Sequence, residues 1–107
     1  MEGIELTCFK IIAAVGSARS CYIEALRLAR DGKFAEAEAK ITEGENEFVE
    51  AHKAHGELIA KEANGEKTEV CLLLLHAEDQ LMSAETIKII AEENIELCKK
   101  LGVDKLA

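Results

Sequence analysis

The chain carries no proline along its 107 residues. Only glycine is then left to force a helix to stop. Two stretches supply such stops. "RDGKF" (30–34) and "EANGEKTE" (62–69) each place a glycine just after a helix-forming run. Glycine past the last turn takes the left-handed conformation that closes a helix. The spacing predicts three helices, at about 3–31, 34–63 and 68–101, within a single domain spanning 1–107. Turns this short force neighbouring helices antiparallel. The expected fold class is all-α, an antiparallel up-down three-helix bundle, with "GVDKLA" (102–107) fraying at the end.

Composition agrees. Hydrophobic residues make up 49% and aromatics only 4%, so the apolar mass is Ala, Leu and Ile. That mixture favours helices over a β-sandwich. The formal net charge of −8 excludes the function classes that rest on phosphate neutralisation or anionic membrane surfaces. No uninterrupted apolar run reaches the ~18 residues of a membrane span. The first residues carry acids where a signal peptide carries bases, so no membrane insertion is expected and a cytoplasmic location is. Cys8, Cys21, Cys71 and Cys98 show no metal-ribbon spacing and are read as reduced thiols in helix interiors, with redox sensing as the alternative.

The first two helices each show one apolar stripe. The first runs through Ile4, Cys8, Ile11, Val15, Ala18, Tyr22 and Ala25, and the second through Phe34, Ala37, Ile41, Gly44, Phe48, Ala51 and Leu58. Gly16, costly inside a helix, is expected to mark a close helix contact. The third helix has two stripes. Advancing ~100° per residue from Val70 places Leu73, Ala77, Leu81, Ala84, Ala91 and Ile95 around ~320°. Leu72, Leu75, Met82, Thr86, Ile90 and Leu97 gather around ~170°. One stripe closes the monomer core. The other predicts a homo-oligomer built around the third helix; the alternative is one wide core-facing arc.

Two ionisable residues interrupt this pattern in "CLLLLHAEDQLM" (71–82). Asp79, near ~180°, lies within the second stripe between Leu75 and Met82. Cyclic symmetry would bring identical carboxylates to one point, which calls for a hard cation such as Mg²⁺, protonation or a polar network. A wet gap or a lysine partner is the alternative. His76, near ~240°, borders the two stripes with Gln80 and Ser83. A histidine there is either structural or a reversible phosphoryl carrier at a seam that excludes water. His52 and His55, three residues apart, could chelate a metal but lack a third ligand in sequence, and are read as structural or groove-lining. Arg19 could reach a phosphoryl group or pair with a neighbouring acid. Nucleotide-binding and Ser-His-Asp motifs are absent.

Four motifs carry a resemblance. "GSARS" (16–20), "ALRLARDGKFAEAEAKI" (25–41), "EAH" (50–52) and "LLHAEDQLM" (74–82) stand in the order and spacing of one family. The chain resembles the lactose/cellobiose-type IIA components of the bacterial phosphoenolpyruvate-dependent sugar phosphotransferase system. The resemblance implies a homotrimer of such bundles, nine helices in all. It implies that His76 accepts a phosphoryl group from the phosphocarrier HPr and passes it to a cysteine of a IIB protein during disaccharide uptake. It further implies that Asp79 binds Mg²⁺ on the trimer axis. Two positions of the signature depart: Glu78 replaces a glutamine and Gln80 a second histidine. His55 also stands where relatives tend to have glutamine. Glu78, near ~80° on the solvent face, is expected to change surface charge more than chemistry. These departures keep open a helical binding or regulatory module without phosphoryl turnover. A pure metal-binding trimer, in which Asp79 matters and His76 does not, is the third reading.

Overall fold

The computed structural model describes residues 3–106. It contains α1 (Ile4–Arg30), α2 (Phe34–Ala63) and α3 (Leu72–Leu101), followed by a 3-10 turn at Val103–Lys105. No strand occurs among the described residues. The molecule is a rod, 56 × 24 × 20 Å, its long dimension set by the thirty-residue helices.

The two glycine stops work as the sequence predicts. Gly32 and Gly65 have φ of 77° and 86°. Lys33 N–H donates to Leu28 C=O and Gly32 N–H to Ala29 C=O. Glu66 and Gly65 repeat the pattern on Lys61 and Glu62. This paired closure satisfies carbonyls that would otherwise face water alone.

The start of α3 differs from the expected residue 68. Residues 66–71 form no helix, and Cys71 is extended at φ −139°, ψ 166°. β-Branched Thr68 and Val70 favour that extended path. The tail also departs from expectation. Rather than fraying, Val103 packs on the core and Asp104 presses against the α1–α2 turn. A Cβ at Gly32 would come within 2.7 Å of the Asp104 Cα. Ala107 lies outside the described residues.

The core has two halves. Near the start of α1 and α3 it holds Cys8, Ile11, Val15, Ala51, Leu74, Ala77, Leu81 and Ala84. Near their ends it holds Ala18, Tyr22, Ala25, Ala37, Ile41, Ala91 and Ile95. Phe48 packs against both. Alanine dominates the seams, so the helices approach closely. At Gly44 a Cβ would overlap the Tyr22 ring. Gly16, the expected contact point, is exposed, and a Cβ there would meet nothing within 4 Å. Its side of α1 faces away from the bundle. By length and composition alone, α1 is the one described helix apolar enough to cross a membrane, although charged and polar residues interrupt it. Here its apolar stripe is taken up by the bundle core.

Candidate functional site

The two stripes of α3 have opposite fates. Leu74, Ala77, Leu81, Ala84, Ala91 and Ile95 are buried against α1 and α2. On the other stripe Leu75 and Met82 are 56% and 58% exposed, and Leu72, Ile90 and Leu97 are more than half exposed too. Asp79 sits exposed between Leu75 and Met82. An exposed apolar strip of this length, broken by Asp79, Thr86 and Glu93, is unusual on a lone domain.

His76 is exposed on the flank of that strip, with Gln80 and Ser83 half-buried beside it. The flank can be assigned. Asn94 lies five turns beyond His76, at the same ~240° on the wheel. Its side-chain amide donates to the Leu26 carbonyl of α1 at 3.3 Å. His76 therefore stands on the α1 side of α3. Arg19 is exposed on α1 and makes no ion pair among the described residues.

The opposite flank faces α2. Three polar pairs cross it, the ion pairs Glu38–Lys99 and Glu45–Lys88 and the hydrogen-bonded His55–Glu78. Hydrogen bonding to Glu45 holds the Lys88 ammonium above its ordinary range. His55 Nδ1 lies 2.7 Å and 2.9 Å from the two Glu78 carboxylate oxygens. A carboxylate only accepts, so Nδ1 carries the proton. Glu78 is thus not the free surface acid that the wheel suggests. Its ~80° position points it at α2, where it meets His55. The signal for this pair was present in the sequence as two departures from one family pattern, each exchanging an amide for an ionisable group.

His52 is exposed and tilts against Phe48, ring centroids 6.5 Å apart. It lines a groove of 660 Å³ between α2 and α3 with Tyr22, Val49, Lys53 and Ile89. The structure does not bring His52 or His55 to His76 within one chain. Nor does it build a metal site there: no cluster of three or more His, Cys, Asp or Glu ligands occurs among the described residues. His55 is already committed to Glu78.

The cysteines form no disulfide among the described residues. Cys8, Cys21 and Cys98 are buried, whereas Cys71 is exposed just before α3 rather than in a helix interior. Burial pushes the Cys8 and Cys21 thiols up, and nearby negative groups add to the rise at Cys8. These two thiols are held in their unreactive form.

The fold and site define an all-α three-helix domain with an exposed histidine beside an unpartnered apolar strip. Comparison makes the assignment specific. The family profile "PTS system, Lactose/Cellobiose specific IIA subunit" matches residues 6–99, and the chain belongs to that family. A lichenan-specific phosphotransferase enzyme IIA component of Bacillus subtilis is 44% identical over 100 residues, covering 94% of this chain and 91% of the relative. The crystal structure of the cellobiose-specific enzyme IIA from Bacillus anthracis superposes with a TM-score of 0.90 at 46% identity, covering 95% and 94% of the two chains. A IIA(Chitobiose) solved in complex with HPr, from Escherichia coli, superposes at 0.79 with 34% identity, covering 95% and 99%.

Proposed function

We propose that the chain is a phosphocarrier that accepts a phosphoryl group on His76 from phospho-HPr and delivers it to a IIB cysteine. The observation that carries the proposal is His76 itself, exposed on the flank of an exposed apolar strip. A carrier must meet two different proteins in turn, and a buried imidazole could meet neither. Support for HPr as donor comes from the HPr complex of the chitobiose-type relative.

The chemistry is an in-line displacement. A ring nitrogen of His76, Nε2 by the family's example, attacks the phosphorus held by HPr. The new P–N bond forms as the bond to HPr breaks. The IIB thiolate then attacks the same phosphorus and frees the imidazole. Little proton transfer is required, so catalysis is mostly positioning. Gln80 and Ser83, on the same flank, are placed to donate hydrogen bonds to phosphoryl oxygens.

The active form is a homotrimer with the exposed α3 strip on its axis. Asp79 then converges with its two symmetry copies. The strip's other acid, Glu93, stands about 20 Å along α3 from Asp79, so only the assembly makes a donor set. Carboxylate oxygens among hydrocarbon suit Mg²⁺, which would neutralise the convergent charge. The trimer works in the cytoplasm and serves uptake of a disaccharide. Its relatives are named for lichenan, cellobiose and chitobiose, and this chain's sugar is of that lactose/cellobiose type.

The test is to incubate the chain with phosphoenolpyruvate, enzyme I and HPr, and to map acid-labile phosphate. Label is expected in the peptide holding His76, retained in His52→Ala and lost in His76→Ala. An unlabelled wild type, or a labelled His76→Ala, sinks the proposal and leaves the non-transferring binding module as the reading.

A further inference from the structure

We infer that the His55–Glu78 pair of one chain completes the phosphoryl site around His76 of the neighbouring chain. The inference rests on the trimer proposed above. Within one chain the pair cannot serve His76, because the two lie on opposite flanks of α3. Glu78 is near ~80° and His76 near ~240°, with the outer strip at ~170° between them. Put the strip on a cyclic axis, and each flank turns toward a different neighbour. The His76 flank of one chain then meets the Glu78 flank of the next. Cyclic symmetry keeps equivalent residues level. Glu78 is therefore only ~3 Å along the axis from the level of the neighbour's His76.

The chemistry of the pair suits that place. A phosphoryl group arriving on His76 brings negative charge to a partly desolvated seam. A bare Glu78 carboxylate facing it would repel it. In this chain the carboxylate is held by His55 Nδ1, at 2.7 Å and 2.9 Å, and both side chains remain partly open, 28% and 25% exposed. Nδ1 is engaged, so Nε2 is the nitrogen left to face the seam. When the ring is protonated, Nε2 carries a second N–H, and a phosphoryl oxygen is the acceptor it fits. Glu78 acts through His55 and is a positioning residue. His55 is the proposed contact to the transferred group. Other pairs on this flank, Lys88–Glu45 and Lys99–Glu38, lie farther along α3 and cannot substitute.

A trans-complementation experiment separates this from a purely structural role. Full-length His55→Ala keeps His76 but lacks the donor. Its phosphorylation by phospho-HPr is expected to slow about tenfold or more, the usual effect of losing a hydrogen bond to a charged group. Glu78→Gln should slow it less, because His55 stays but is held by a neutral acceptor. Full-length His76→Ala cannot be labelled but carries an intact pair. In trimers mixed from His55→Ala and His76→Ala chains, a fast phase at the wild-type rate is expected to return. If His55→Ala fails to assemble, His55→Leu, which fills the space without an N–H donor, takes its place in the same mixture. The inference is overturned if the His55 variant transfers at the wild-type rate, or if mixing restores no fast phase. An unlabelled wild type would instead overturn the phosphocarrier proposal, so the two failures are distinguishable.

Discussion

Gly44 and Tyr22 show how much one residue position can decide. The Tyr22 ring is 1% exposed and lies where a Gly44 side chain would project. Gly44→Ala gains about 1 kcal/mol of helix propensity. It loses about 1–3 kcal/mol through overpacking against the Tyr22 ring. A net loss of about 1 kcal/mol is expected in urea unfolding, whereas Gly16→Ala, in open space, should be stabilising. Equal effects at the two sites would contradict the packing described here. The sequence could not rank these glycines. Each interrupts a helix, and only the ring on the facing helix tells them apart.

Tyr22 also offers a spectroscopic check. It is the only tyrosine, and tryptophan is absent. Burial, aided by Glu45 and other nearby negative groups, pushes its hydroxyl up to about 12. The folded chain thus keeps a proton that the unfolded chain has given up between about pH 10 and 12. Stability contributed by the neutral form is full below pH 10 and falls as pH rises through that window. Tyrosinate absorbance in the folded protein should rise near pH 12. A midpoint near 10 would mean that the ring is far more open than described.

At the scale of elements, α3 carries the argument. Its two stripes were legible because a helix can hide only one face in a three-helix bundle, and burial divides along the line the wheel draws. The His55–Glu78 bridge was not, because wheel angles place a residue on its own helix but do not say what the next helix offers. The start of α3 at Leu72 was missed for a related reason: periodicity in "EKTEV" is too weak to mark a boundary. The outer strip yields two predictions. Leu75→Glu adds a second acid next to Asp79 on a surface that is exposed in the single chain. It should leave helical circular dichroism unchanged and reduce the assembly to single chains in sedimentation. An unaltered sedimentation coefficient would contradict a contact through this strip. Asp79→Leu removes the converging acids and should raise the melting temperature of the assembly. Chelation should lower that temperature for the wild type and leave Asp79→Leu unaffected. The same response to chelator in both would argue against a cation held by Asp79.

At the scale of the whole molecule, one rod presents one open strip, with an imidazole on its α1 flank and the His55–Glu78 hydrogen bond on its α2 flank. The four motifs disclosed this frame from sequence because they sample all three helices. What they could not disclose is the proposed pairing of one rod's His55–Glu78 flank with its neighbour's His76, since contacts between chains are not written along a single chain. Native mass spectrometry after incubation with phosphoenolpyruvate, enzyme I and HPr reads the assembly and the chemistry together. The predicted species is three chains of 11.7 kDa with one phosphoryl group per chain, each mapping to His76. A phosphorylated single chain, or a trimer carrying phosphate at any other residue, would contradict the account.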